Sequence, residues 1–187
     1  MNNTSGKELT SEVVGFIGAT LLEMQRFEFF VHGLVAHFKT LQNHKRFKGL
    51  NAEIFLSDSE INKKKRKQTL GQIFGVLKID LSLFYTNELD DYLNNRNILI
   101  HDFWRDFVRT DRYEEKRVLS FLNNLNNSTE EWIKVFRGLM SMMAKNAYEN
   151  SSEEMKKEKK AKFLNILSEN EKYEVDLKIK FKNTAKQ

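Results

Sequence analysis

The chain has 187 residues, eight glycines, no proline and no cysteine, and its formal net charge is +5 at pH 7. The absence of cysteine excludes disulfides and thiolate metal sites. The scarcity of helix breakers beside fifteen phenylalanines predicts a helical protein with a sizeable core. No apolar run approaches the ~18–20 residues that span a bilayer, and the first residues lack a secretory signal pattern. We therefore expect a cytoplasmic protein whose basic charge permits a polyanion partner without requiring one.

The first predicted element is a long amphipathic helix from about Glu8 to Phe47. Its apolar residues recur at alternating steps of four and three, which is the period of one helix face. They are Ile17, Leu21, Met24, Phe27, Val31, Leu34, Phe38 and Leu41. This stripe predicts one buried face along most of the helix.

A basic run follows a predicted capping box at Ser57 and Glu60. The run consists of Lys63, Lys64, Lys65, Arg66 and Lys67, and a helix is predicted after it over residues 69–77. Such a run is suited to an RNA backbone, because phosphate contacts give affinity independent of sequence. A solubilising turn is the alternative.

The third major helix is predicted from about Asn87 to Val108, again with steps of four and three. Its stripe is Leu89, Leu93, Arg96, Ile100, Phe103 and Phe107. Asp111 with Glu114, and Ser128 with Glu131, predict the starts of two further helices. Residues 1–150 are thus expected to form an all-α, up-and-down bundle of about five helices.

Beyond residue 150 the composition changes to a charged C-terminal extension, residues 151–187. Within it, the segment YEVDLKIKF alternates strictly between polar and apolar residues, which is the period of a β-strand and predicts one over residues 173–182. A lone strand has nothing to pair with in a helical protein. It either docks on a partner or on another copy of the chain, or is loose. Our hypothesis is that it docks on the sheet edge of a partner protein.

Arg96 occupies a stripe position where the helical period favours an apolar side chain. Burying an unpartnered guanidinium is costly, so Arg96 is expected at an anion, a wet cleft or a subunit boundary. His101 lies five residues later, roughly 140° around a regular helix. The two side chains converge only if the helix is irregular there, or if two copies of the chain meet.

Arg96-Asn97-Ile98-Leu99-Ile100-His101 resembles the R-x-x-x-x-H signature of the HEPN superfamily of helical ribonucleases. Further similarity lies in the opening helix around Glu23–Glu28, in the Thr69-Leu70-Gly71 helix start and in Phe103-Trp104 after the histidine. The resemblance covers roughly residues 8–148 and leaves out the C-terminal extension.

The resemblance implies a metal-independent endoribonuclease with Arg96, His101 and Asn97 as catalytic residues. It implies a homodimer in which both motifs line one cleft on the RNA, and a role as a toxin or antiviral-defence effector. The expected partner of the extension is then an antitoxin or a companion defence subunit. RNA-binding residues are predicted at 63–67 and at Arg105. No metal and no other cofactor is expected.

The main alternative is a non-catalytic HEPN-like module that binds RNA or a protein, and a DNA-binding helical protein is the third. In those interpretations Arg96 pairs with Asp91 or Glu28, and His101 lies on a polar face. Phosphate-loop, dinucleotide-binding and His-Glu-x-x-His motifs are absent, which argues against nucleotide-dependent and zinc enzymes.

Several other patterns have simpler interpretations. A second match to the motif, Arg26 with His32, is interpreted as a decoy inside the first helix. The carboxylates Asp102 and Asp106 are interpreted as a solvated face rather than a metal site. Glu28 with His32 lacks the further Glu-x-x-His pairs of a di-iron bundle. The aromatic residues Phe29, Phe30 and Trp104 are assigned to the core or to a dimer boundary rather than to base stacking.

Overall fold

The computed structural model describes residues 9–42, 87–109 and 113–175, with side chains described for all of these except 35–42. The helices are α1 (Ser11–Gln42), α2 (Asn87–Asn97), α3 (Glu115–Glu149) and α4 (Glu153–Asn170). Two π-helical turns, Ile98–Asp102 and Trp104–Val108, continue α2, and a 3₁₀ turn, Glu171–Tyr173, continues α4. These ranges contain no strand, which confirms the predicted all-α class. None of their helices is long and apolar enough to cross a membrane.

Some predicted features lie outside the described residues. They are the capping box at Ser57 and Glu60, the basic run at 63–67, the helix over 69–77, the cap residue Asp111 and residues 176–182 of the strand. Those predictions stay predictions.

Helix α1 begins where a threonine caps it. The Thr10 hydroxyl accepts a hydrogen bond from the Val13 amide at 3.4 Å, and the Thr10 carbonyl accepts one from the Val14 amide at 3.0 Å, which satisfies two amides of the first turn. The predicted apolar stripe is buried along its central part. Met24, Phe27, Val31 and Leu34 are each at most 2% exposed.

The chain divides into two compact units. One comprises residues Met1–Phe27 with Tyr85–Glu130, and the other comprises Glu28–Phe84 with Glu131–Gln187. Both α1 and α3 therefore contribute one part to each unit. The boundary predicted at residue 150, between the helical bundle and the C-terminal extension, is a different division of the chain and stays a prediction.

Aromatic packing holds the first unit together around the π-helical turns. Phe107 lies 4.7 Å from Phe121 and 5.3 Å from Phe103, between ring centroids, and the Arg117 guanidinium lies over the Phe107 ring at 5.0 Å. Ring pairs at these distances add to the apolar burial of each ring. This aromatic cluster fixes the inner face of the π-helical segment.

Helix α3 is continuous through the position where the sequence predicted a helix start. Ser128 lies inside α3, so the predicted cap at Ser128 and Glu131 is wrong. The neighbouring Thr129 hydroxyl donates to the Leu125 carbonyl at 2.8 Å, one turn back in the same helix. Hydroxyl side chains make such bonds inside helices as well as at their ends, and the buried Leu125 and Trp132 continue the apolar face across this point.

In the second unit, three polar residues of α3 hold the end of α4. The Arg137 guanidinium donates from Nε to the Asn170 side chain at 2.8 Å, from Nη2 to the Glu169 carbonyl at 2.9 Å and from Nη1 to the Tyr173 hydroxyl at 3.3 Å. One turn further along α3, the Ser141 hydroxyl donates to Glu174 at 2.7 Å. We call Arg137, Ser141 and Lys145 the polar clamp.

Lys145 completes the clamp. Its Nζ lies 2.7 Å from a Glu171 oxygen and 2.8 Å from a Glu174 oxygen, and hydrogen bonds to those carboxylates raise the pKa of Lys145. The strand predicted to begin at Tyr173 does not begin there, because residues 173–175 are helical.

Candidate active site: the π-helical segment

The helix that carries Arg96 changes its hydrogen-bond pattern directly after the arginine. Helix α2 ends at Asn97, and the first π-turn, Ile98–Asp102, begins at the next residue. In the second π-turn the Arg109 amide donates to the Trp104 carbonyl at 2.7 Å, a bond across five residues. A π-turn closes its hydrogen bond over five residues, one more than an α-turn. Such turns are rare, and they are frequently found at functional sites.

The π-turns reduce the geometric problem posed by the motif. In a regular helix, residues five apart lie on different faces, whereas a five-residue hydrogen-bond repeat brings them closer to one face. His101 lies in the first π-turn and Arg96 one residue before α2 ends. The helix is thus irregular between the two motif residues, which is one of the two conditions under which they can converge.

Arg96 is half-buried and bonded to its neighbour. Its Nη1 donates to the side-chain oxygen of Asn97 at 3.1 Å, and its Nε atom is buried. Asp91, one of the two carboxylates suggested as its partner, is exposed. The structure therefore places the Asn97 side chain in contact with the arginine.

His101 and Asn97 are both exposed, four residues apart. An exposed imidazole can reach a large substrate such as a nucleic acid without any prior opening of the protein. Imidazole is also the side chain whose ordinary pKa suits proton transfer near neutral pH. The segment therefore presents an exposed imidazole five residues after a guanidinium that is hydrogen-bonded to Asn97.

Arg105 lies between two carboxylates of the same segment. Its Nη1 is 3.0 Å from Asp102, and its Nε donates to Asp106 at 2.8 Å. The hydrogen bond to Asp106 and the nearby charges raise the pKa of Arg105, and the same hydrogen bond lowers the pKa of Asp106. Arg105 was predicted to bind RNA, and the structure places its charge against two acids rather than leaving it open.

The second motif match has a different geometry. Arg26 is exposed and lies 3.2 Å from Glu23, whereas His32 is 2% exposed. Burial lowers the pKa of His32 from 6.5 to about 4. An imidazole enclosed in this way is inaccessible to a macromolecular substrate, which fits its interpretation as a decoy.

The π-turns also change which residues face the core. Ile100, predicted on the buried stripe, is 41% exposed, while Leu99 is 6% exposed. Trp104, assigned to the core or a dimer boundary, is 63% exposed. Sequence spacing at the α-helical period misplaced Ile100, because it assumed an uninterrupted α-helix. For Trp104 the exposure excludes the core and leaves the dimer boundary as a prediction.

In comparisons with known proteins, no family model, no curated protein and no solved structure matches the chain. In the described ranges, no three histidine, aspartate or glutamate side chains are grouped so as to hold a metal ion. A functional interpretation therefore depends on the residues of the π-helical segment themselves.

Proposed function

We propose that this chain is a metal-independent endoribonuclease of the HEPN type, acting as a cytoplasmic toxin or antiviral-defence effector. The observation that carries the proposal is the change to a π-helix directly after Arg96 and Asn97, with an exposed His101 inside the first π-turn. The resemblance to the R-x-x-x-x-H signature supplies the reaction, and the irregular helix supports the convergence that this reaction needs.

The reaction is an attack of the substrate's own 2′-hydroxyl on the adjacent phosphorus. The 2′-oxygen gives up its proton to a base and forms a new bond to phosphorus, and the bond from phosphorus to the 5′-oxygen breaks. The departing 5′-oxygen takes up a proton, so the products are a 2′,3′-cyclic phosphate and a free 5′-hydroxyl. His101 carries out proton transfer.

Arg96 stabilises the charge that builds up on the phosphoryl oxygens. A guanidinium is charged at all relevant pH values and offers paired donors to a phosphate. The hydrogen bond from Arg96 to Asn97 restricts the guanidinium, which supports a positioning role for Asn97. A restricted cation loses less freedom when it binds the transition state.

Two copies of the chain are proposed to form the complete site. In a symmetric dimer, each protomer presents the same surface, so two Arg96 and two His101 side chains would line one cleft on the RNA. The basic run at 63–67 is proposed to bind the RNA backbone beside this cleft. An antitoxin or companion defence subunit is the proposed partner of the C-terminal extension.

The test compares four chains in a bacterial host: wild type, Arg96→Ala, His101→Ala and Arg26→Ala. Arg26 is the matched control, since it is an exposed arginine of the decoy motif. We expect RNA cleavage with cyclic-phosphate ends, insensitive to a chelator, from the wild type and Arg26→Ala only. If Arg96→Ala and His101→Ala leave growth and RNA ends as the wild type does, the nuclease proposal is wrong.

The same experiment addresses the alternative classes. A non-catalytic HEPN-like module binds RNA or protein, and all four chains leave RNA intact. A DNA-binding protein shows salt-sensitive duplex binding that neither motif substitution changes.

A further inference from the structure

Trp104 is a large aromatic side chain placed on the surface next to the candidate active site. It is 63% exposed, whereas the other tryptophan of the chain, Trp132, is 2% exposed. In the described part of the chain, the Trp104 indole makes no ring contact and no hydrogen bond. Its neighbours Phe103 and Phe107 are buried in the aromatic cluster, so Trp104 lies outside while the aromatic residues on either side of it are enclosed.

The position of Trp104 relates it to His101. The two residues are three apart along the helix, and both are exposed, so they lie within about one helical turn of each other. A flat indole beside a group that acts on a phosphate is well placed to stack on the base of an adjoining nucleotide. Stacking on aromatic side chains is how proteins hold unpaired bases of single strands.

Arg109 provides a cation one π-turn further along. Its amide bonds to the Trp104 carbonyl at 2.7 Å, its side chain is exposed, and it forms no ion pair with any residue that the structure describes. Unlike Arg105, which is held by two acids, Arg109 has its charge available to a phosphate. His101, Trp104 and Arg109 therefore follow one another along the same exposed segment.

A dimer boundary on the Trp104 indole itself explains this exposure less well, because the cleft that the proposed dimer forms must stay open to RNA. A stable interface buries about 800 Å² on each partner, and the large exposed apolar side chains over residues 98–109 are Ile100 and Trp104. Charged residues of the same segment lie between and after them in the sequence, namely Asp102, Arg105 and Asp106. An isolated aromatic face within a charged surface is better suited to a nucleobase and its phosphates.

We propose that Trp104 stacks on an unpaired base next to the phosphate that His101 acts on, and that Arg109 contacts a phosphate of the same strand. The substrate class is then single-stranded RNA, because a base inside a duplex offers no free face to an indole. This inference rests on the proposed function and adds the substrate form to it.

The test measures binding in a non-cleaving background, His101→Ala, so that its result is separate from whether the wild type cuts RNA. Trp132→Phe in that background leaves Trp104 as the one fluorescent indole. We expect a short single-stranded RNA to quench Trp104 emission saturably, and the same RNA in a duplex to leave it unquenched. If Trp132→Phe does not fold, emission from the buried Trp132 is subtracted with a Trp104→Ala chain.

Two substitutions complete the test in the same background. Trp104→Ala is expected to weaken single-strand binding roughly 5- to 150-fold, while Trp104→Phe keeps most of the affinity. Arg109→Ala is expected to reduce the slope of log affinity against log salt concentration by about 1, the amount of one phosphate contact. Unchanged affinity in Trp104→Ala, equal quenching by the duplex, or a dimer that dissociates in Trp104→Ala would each overturn the proposal.

Discussion

Arg96 and Asn97 are consecutive residues joined through their side chains, with the guanidinium Nη1 donating to the amide oxygen of Asn97 at 3.1 Å. Consecutive residues of a helix do not normally face each other. This bond therefore draws the guanidinium toward Asn97, the last residue of α2 before the first π-turn. The arginine is fixed at the point where the helix widens.

Loss of this bond should slow the proposed cleavage without unfolding the chain. We expect Asn97→Ala to cut RNA about fivefold more slowly, because one hydrogen bond contributes about 1 kcal/mol. Asn94→Ala is the matched control, since Asn94 is also an exposed asparagine of α2. The measurement is the cleavage rate of a single-stranded RNA under saturating conditions. Equal rates for the two variants would remove Asn97 from the site.

Removing a carboxylate from Arg105 should strengthen RNA binding. Asp106 accepts the 2.8 Å bond from the Arg105 Nε, so Asp106→Asn deletes a negative charge and leaves the guanidinium less engaged. We expect higher RNA affinity at low salt. We also expect the plot of log affinity against log salt concentration to steepen by the amount of about one phosphate contact. Binding is measured by titration at several salt concentrations.

The control for this prediction is Asp91→Asn. Asp91 is exposed and lies on α2, so its substitution changes the net charge equally without touching Arg105. If both variants steepen the salt dependence by the same amount, general charge and not Arg105 governs the binding.

The sequence was sufficient to predict the features that depend on local periodicity. The α1 stripe is buried at Met24, Phe27, Val31 and Leu34, because each residue simply follows the period of a regular helix. The helical class followed equally from the lack of proline. The exposure of His101 and the partial burial of Arg96 fit the catalytic interpretation and the polar-face alternative alike, so the candidate site stays a prediction.

The remaining features depend on contacts that local patterns do not contain. The π-turns moved the buried position from Ile100 to Leu99, and nothing in the residue spacing distinguishes a five-residue repeat from a four-residue one there. Helix α4 was missed because its charged residues outnumber the apolar ones. Its end is held by Arg137, more than thirty residues away in the sequence, and its start by a Ser152 hydroxyl that accepts from the Met155 amide.

The polar clamp makes a prediction about α4. Arg137→Ala removes three hydrogen bonds and the stacking of its guanidinium at 4.5 Å over the Tyr173 ring. We expect the free energy of unfolding to fall by about 2–3 kcal/mol and amide protection in α4 to drop more than elsewhere. Hydrogen exchange measured along the chain tests both.

Two further chains sharpen this prediction. Lys134→Ala, an exposed position one turn earlier on α3, should leave exchange in α4 unchanged. Arg137→Lys should behave more like Arg137→Ala than like the wild type, since an ammonium cannot reproduce the fixed fork of a guanidinium. Full protection of α4 in Arg137→Lys would show that charge alone anchors it.

His32 gives the fold a pH dependence of predictable sign. Burial lowers its pKa in the folded chain from 6.5 to about 4, so the folded imidazole stays neutral at pH values where the unfolded one is already protonated. The unfolded state therefore binds more protons between these values, and stability falls as the pH decreases. The contribution of neutral His32 to the free energy of unfolding is fully present above about pH 6.5. It is lost by about pH 4, and the total loss is about 3 kcal/mol.

Urea unfolding at about pH 7 and about pH 4 measures this loss, and His32→Asn isolates it from the titration of carboxylates. The asparagine chain should be less stable at neutral pH, because a buried ring is replaced by a smaller polar group. Its loss of stability on acidification should nevertheless be about 3 kcal/mol smaller than that of the wild type. If both chains lose the same stability on acidification, His32 is protonated in the folded state without cost. The interpretation of His32 as a buried, neutral imidazole would then be wrong.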